Sequence, residues 1–197
     1  MTSEPPTTSR AGSAPVPGRY PAELEHAWEP AGGPRLWIRP LRPDDLEREL
    51  RFVSGLSPAT RYLRLQYYAA EPSPREVERL LDVDYVDRLA LAALTAADDP
   101  KIVGVSRYAR IEHTSRGECA IVVADAWQGR GLGSELMRSL VVAALARGLT
   151  CLEGETPAEN QRIADWARRF GFALRTEPNS GGQFRVVLDL TNITNLN

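Results

Sequence analysis

Lysine is almost missing from this chain: of its 24 basic residues Lys101 is the one lysine, and 23 are arginine. Cysteine is scarce as well. Cys119 and Cys151 both sit among apolar neighbours, which gives no disulfide framework and no zinc ligand set and suits reduced thiols in a cytoplasm. Long apolar runs are missing too. The longest charge-free apolar stretch, residues 89–97, is about half of what a membrane span needs. The opening residues are polar and Pro-rich, without the basic start and apolar core of a secretory leader, so no leader is expected. Neither sign of charge dominates: 24 basic side chains stand against 26 acidic ones, a net charge of −2. That balance argues against nucleic acid as the main partner. No repeat with a period of roughly 20–50 residues is visible.

What is present suffices for one substantial core. At 197 residues, area scaling predicts burial of about 70% of the unfolded chain's surface, and the length favours one domain with appendages. Residues 1–34 hold seven of the 15 prolines and read as a disordered or loosely docked tail, with docking beginning near Leu24, Trp28 and Trp37. Residues 191–197 are polar and expected to fray. The folded unit is therefore expected over 35–190.

Within that unit the apolar period switches between strand and helix. Residues 36–41 read as a strand, stopped by Pro40 and Pro43. Asp44 and Asp45 signal a helix over 44–54, Ser57-Pro58 a second short one, and Ser73-Pro74 a third over 74–82. The runs 85–97 and 102–111, with a short polar turn between them, predict an antiparallel hairpin. Residues 118–124 form a dense β-branched run and hence a buried strand. A helix over 133–147 ends at Gly148. A strand over 150–156, a helix over 157–170 and a strand over 183–190 complete the pattern. The class is α/β, a mixed sheet with helices on both faces.

The most informative stretch is 121–134. A buried strand passes through a short connection into a glycine-dense turn that opens directly into a helix. Gly129, Gly131 and Gly133 let successive amides point into one concavity with no Cβ in the way. The helix start adds free N–H groups and partial positive charge. This is the build of a phosphate or pyrophosphate site, with Arg130 adding a full charge at its rim. The bland alternative is a tight connection that binds nothing. The spacing is not Gly-x-Gly-x-x-Gly, because Ser134 stands in the way, and no lysine follows the glycines as in a Walker loop.

The run Gln128-Gly129-Arg130-Gly131-Leu132-Gly133 resembles the Gln/Arg-x-x-Gly-x-Gly/Ala signature of the GNAT N-acetyltransferase family. Asn160, at the start of the helix after the next strand, and Arg169-Phe170-Gly171-Phe172 resemble further landmarks of that family. Residues 56–64 (Leu-Ser-Pro-Ala-Thr-Arg-Tyr-Leu-Arg), with Asp84-Tyr85, are similar to the acetyltransferase domain of bacterial Pat-type protein-lysine acetyltransferases. The resemblance implies a mostly antiparallel sheet in which two parallel strands, 118–124 and 150–156, splay apart. It implies acetyl-coenzyme A as co-substrate, its pyrophosphate on the amides of Gln128, Gly129, Arg130, Gly131, Leu132, Gly133 and Ser134. The backbone of Ile121, Val122 and Val123 would meet the pantetheine arm, with one amide polarising the thioester carbonyl, and Asn160 would bond the arm near the splay. The implied reaction is direct acetyl transfer to a primary amine, with a protein lysine as first choice by the Pat-type likeness alone. A polyamine, amino acid or drug is the alternative acceptor. A module that senses acyl-coenzyme A without turnover is the rival from another class. Monomer and homodimer both fit, and no metal is implied.

Acyl transfer needs the amine uncharged. A lysine of ordinary pKa is about 0.04% neutral at pH 7, a deficit of roughly 4.6 kcal/mol that a base helps to supply. Glu118 begins a strand whose next residues, Cys119 to Val123, are all apolar, so its carboxylate is expected to be partly desolvated and suited to that role. Many members of the family also place a glutamate about there. The plain reading is a solvated strand start after Gly117. Glu153 and Glu155 share one face of the next strand and either flank the amine or stand exposed at the sheet edge. His113 reads as a turn residue and His26 as part of the tail. Family members often carry a tyrosine, as acid for the leaving thiolate, where Ala167 stands here. That is a departure, with Tyr62, Tyr67 and Tyr68 as substitutes or as packing. Cys119 and Cys151 read as inert core. Trp166 with Arg162, Arg168 and Arg169 makes an amphipathic helix, its basic face either solvated or set against the adenosine 3′-phosphate.

Overall fold

The structure is a computed structural model that describes residues 18–65, 74–176 and 182–193, with the side chains of 63–65 and 74–76 outside that description. In the strand β3 (Arg88–Thr95), Leu89, Leu91 and Ala93 enter one core while Ala90, Ala92 and Leu94 enter another. Burial on both faces is why this strand reads as an unbroken apolar run. The other strands are β1 (His26–Trp28), β2 (Leu36–Pro40), β4 (Ile102–Arg110), β5 (Arg116–Val123), β6 (Cys151–Pro157), β7 (Ala173–Thr176) and β8 (Gln183–Asp189). Together they form an eight-stranded mixed sheet in the order β1-β2-β3-β4-β5-β6-β8-β7. The predicted hairpin is β3 with β4, and β5 with β6 is the parallel pair.

Helices cover both faces. On the first core lie α4 (Leu132–Ala146), burying Leu136, Met137, Leu140 and Val141, and α5 (Gln161–Phe170), burying Ala164 and Ala167. A Cβ on Gly104 would stand 2.9 Å from Leu136 Cδ1, so the bare backbone of β4 is what lets α4 sit this close. On the opposite face, α1 (Leu46–Ser54) buries Phe52 and Val53 beside Leu56 and Leu81. On the same side α3 (Pro74–Leu80) packs against α1, and α2 (Pro58–Leu65) follows Leu56 and contacts β5. Charge fixes the entry to α1. Asp45 is fully buried and takes both terminal nitrogens of Arg39 at 2.7 Å, together with the Arg42 N–H at 2.9 Å. Burial pushes the Asp45 carboxyl up, but the hydrogen bonds from Arg39 and Arg42 outweigh it and hold the group below its ordinary value.

The fold extends past the expected boundary at residue 35. Strand β1 lies inside the segment read as tail and pairs with β2. Tyr20, Leu24 and Trp28 pack on the first core, and the Tyr20 hydroxyl donates to Glu25 at 2.6 Å. Apolar residues spaced four apart among prolines give no period, so the sequence hid this strand. Residues 1–17 lie outside the described residues. Strand β7 was also unforeseen, since its four residues are mostly exposed. At the other end the Thr191 N–H and hydroxyl bond Asp189 at 2.8 and 2.6 Å, and Ile193 packs on the core.

Candidate active site

Strands β5 and β6 pair at three positions only: Arg116 with Cys151, Gly117 with Leu152 and Glu118 with Glu153. Past them the strands part. Gly154 stands at the fork, where a Cβ would lie 2.7 Å from the carbonyl oxygen of Cys119. A cleft of about 710 Å³ opens there, walled by residues 119–123 of β5, Gly154 to Thr156 of β6, Ser57 and Thr60 near the start of α2, and Trp166 and Ala167 of α5.

The ladder to β4 decides which backbone groups face the cleft. Val122 pairs with Val105, and the Ala124 N–H donates to the Val103 carbonyl at 2.9 Å. Alternation therefore turns the N–H and C=O of Ile121 and Val123 into the cleft and those of Val122 into the sheet. Of the three residues expected to meet a pantetheine arm, Ile121 offers both its N–H and C=O, Val123 only its N–H because the Gln128 side chain occupies its carbonyl, and Val122 neither.

The glycine turn is built as its sequence suggested. Gly129 and Gly131 have φ of +76° and +88°, left-handed values that favour glycine. Among the described residues the amides of Gly129, Arg130, Gly131, Leu132, Gly133 and Ser134 donate to no acceptor, and the last three open α4. A pyrophosphate fits such a set. Expectations change at Gln128 and Arg130, while Leu132 keeps its free amide. The Gln128 amide already bonds Asp125 O at 3.3 Å, while its side chain donates to the Val123 carbonyl at 2.9 Å. The Leu132 side chain is core, leaving only its amide. The Arg130 guanidinium lies 5.5 Å over the Trp127 ring and lines a separate hollow beside Pro30 to Gly33, outside the cleft. Asn160 lines the cleft, but its Oδ1 caps α5 by accepting the Ile163 N–H at 3.3 Å, so only its amide nitrogen is left to face a ligand.

The carboxylates divide by environment. Glu118 is exposed and outside the cleft wall, so the expected desolvation is absent. Its apolar followers Cys119 and Ile121 pack on the opposite face, and its cross-strand neighbours are Ala109 and Glu153. Glu153 is gripped by Arg116 and, at 2.8 Å, by Arg185. Burial pushes its carboxyl up, but the arginine hydrogen bonds hold it below the ordinary value, which makes it a poor base. Glu155 is exposed, forms part of the cleft wall and has no partner among the described residues.

Asp125 was missed by sequence reasoning. It accepts the Ser57 N–H at 3.0 Å, the Ser57 hydroxyl at 2.8 Å and the Thr60 hydroxyl at 2.7 Å, capping α2 from 65 to 68 residues away. Burial opposes the ionised form, yet these bonds hold the carboxyl below its ordinary value. The only signal in the sequence was an unexplained acidic residue beside the glycine turn. Burial pushes the Cys119 thiol up to about 12, which removes it as a nucleophile. Ala167 is buried in the cleft wall and offers no proton. Tyr67, Tyr68 and the side chain of Arg64 lie outside the described residues. His113 is an exposed turn residue, and His26 contacts Glu135 at 3.2 Å. Among the described residues no group of three or more His, Cys, Asp or Glu is placed to hold a metal, and no helix is long and apolar enough to cross a membrane.

Comparison with known proteins agrees with this geometry. The profile of the acetyltransferase (GNAT) family matches residues 58–172. Acetyltransferase PA5475 of Pseudomonas aeruginosa is 38% identical over 152 residues, 77% of this chain and 82% of that protein. Acetyltransferase Pat of Mycolicibacterium smegmatis is 31% identical over 140 residues, 71% of this chain, which spans 41% of that longer protein. The solved GNAT domain of S. lividans PAT superposes with a TM-score of 0.80 at 27% identity, over 87% of this chain and 99% of that domain. The chain belongs to the GNAT acetyltransferase family and is an acetyl-coenzyme A-dependent N-acetyltransferase.

Proposed function

We propose that the protein transfers acetyl directly to the side-chain amine of a lysine on another protein. The observation that carries this reading is the fork between β5 and β6, with free backbone on one strand and two exposed carboxylates, Glu118 and Glu155, on one face of the pair. Bound acetyl-coenzyme A supplies the activated acetyl group. The free amides of residues 129–134 hold its pyrophosphate, and the Ile121 or Val123 N–H points at the thioester carbonyl as negative charge develops there. Glu118 takes the ammonium proton, directly or through water, so that the neutral amine attacks. With alanine at position 167, solvent protonates the departing thiolate.

Exposure of both carboxylates supports a large acceptor. A small free amine is better held by an enclosed acidic pocket, whereas a lysine on a protein surface needs an open ledge. The likeness of residues 56–64 and Asp84-Tyr85 to Pat-type domains supports the same acceptor.

The test is to incubate the protein and its Glu118→Gln variant with isotope-labelled acetyl-coenzyme A and a bacterial lysate, then locate the label by mass spectrometry. Label is expected on lysines of intact proteins, with the variant slower by about 100-fold or more. Label confined to polyamines or amino acids would overturn the protein acceptor. An undiminished Glu118→Gln rate would overturn the assigned base.

A further inference from the structure

Arg162 crosses the mouth of the cleft. From the first turn of α5 its Nη1 donates to Gln128 Oε1 at 2.6 Å, bridging the β6 side of the fork to the loop that follows β5. Its Nη2 lies 3.9 Å from where a Cβ on Gly129 would stand, so the guanidinium rests directly against the glycine turn. No carboxylate among the described residues pairs with it. A full positive charge thus stands beside six amides that have no acceptor, and its one bond goes to a neutral amide oxygen.

We propose that Arg162 is the cationic ligand of the coenzyme A pyrophosphate, and that its bond to Gln128 is a placeholder which the pyrophosphate replaces. The proposal rests on the cleft being the acetyl-coenzyme A site. Arg130, the cation the sequence offered for this task, stacks on Trp127 and faces another hollow. Gln128 is anchored at its other end on the Val123 carbonyl, which makes the long, exposed arginine the half that moves. The exchange is favoured because guanidinium and phosphate carry opposite full charges and can pair bidentately, whereas the bond to Gln128 is charged on the donor side alone. Guanidinium and amides then converge on the same two phosphates from opposite walls of the fork.

The experiment titrates coenzyme A, dephospho-coenzyme A and pantetheine calorimetrically into the wild-type protein and the Arg162→Ala, Arg162→Lys and Arg130→Ala variants, with thermal melts to establish folding. Arg162→Ala is expected to weaken coenzyme A and dephospho-coenzyme A alike, by about 10- to 100-fold, and to leave pantetheine unchanged. Arg162→Lys is expected to recover part of the loss, and Arg130→Ala, which keeps the backbone amide and removes only the side chain, to cost less than Arg162→Ala. Equal losses for all three ligands would mean a merely structural role and overturn the proposal. So would a larger loss in Arg130→Ala than in Arg162→Ala, or selective loss of coenzyme A over dephospho-coenzyme A, which would place Arg162 on the 3′-phosphate. A wild-type protein that bound none of the three would overturn the cofactor reading itself.

Discussion

Glu118 and Cys119 are adjacent, yet one is exposed and the other half-buried against the first core, because a strand sends successive side chains to opposite faces. The same apolar followers that make Glu118 look desolvated in the sequence desolvate Cys119 in the fold. Burial, with smaller repulsions from Cys151 and Glu118, pushes that thiol up to about 12. At pH 8 its thiolate fraction is then on the order of 10⁻⁴, against roughly a quarter for an ordinary cysteine thiol. Cys119 is therefore expected to react with iodoacetamide about 10³-fold more slowly than a free thiol, as followed by peptide mass spectrometry. Cys119→Ala is expected to keep kcat within about threefold. A large loss of turnover in that variant would restore the acyl-cysteine route that direct transfer excludes.

At the scale of elements, legibility followed sequence distance. The glycine turn could be read because Gly129, Gly131 and the start of α4 are contiguous, so left-handed backbone and free amides are written in one stretch. The order of helices and strands came from the apolar period along the chain, whereas the parallel pair and its fork were implied by the family resemblance alone. The link from Asp125 to Ser57 and Thr60 joins residues 65 or more apart, and nothing local announces it. Glu153 looked equivalent to Glu155, but Arg116 and Arg185 reach it from two neighbouring strands and neutralise it. Gly154 is a third such case, since its need for a bare backbone exists only once β5 lies beside it. Alanine there would place a Cβ against a backbone carbonyl at 2.7 Å, and no side-chain rotation can relieve that contact. Gly154→Ala is expected to cost about 1–3 kcal/mol of stability and, by moving the fork, to weaken coenzyme A binding. Chemical denaturation and calorimetric titration measure the two effects, and a variant with normal stability and affinity would mean that the fork is more pliant than its geometry requires.

The described residues form two cores on the two faces of one sheet, and the cleft is walled by elements that pack on them. Hydrophobic burial does not depend on pH, but the charged joints do. Asp45, Asp125 and Glu153 all have carboxyls held below their ordinary values, Asp45 by Arg39, Asp125 by α2 and Glu153 by two arginines. A depressed folded-state pKa means that the unfolded chain binds more protons in the window between the two values, so stability rises with pH across that window. Each joint is therefore fully present above the ordinary carboxylate pKa of about 4 and is lost as pH falls towards the folded value. Exposed pairs contribute little to this dependence, which leaves Asp45, fully buried with Arg39, and Glu153, buried between Arg116 and Arg185, as its main sources. Urea denaturation is expected to give a flat stability from about pH 8 to 5 and a decline below about pH 4. Asp45→Asn strands the Arg39 guanidinium without its counter-ion, so a loss of about 3–5 kcal/mol at pH 7 is expected, together with a shallower acid decline. If the variant declined as steeply as the wild type, the acid sensitivity would belong to the other carboxylates, Glu153 first among them, and the joint at the entry to α1 would not be what ties the second core to the sheet.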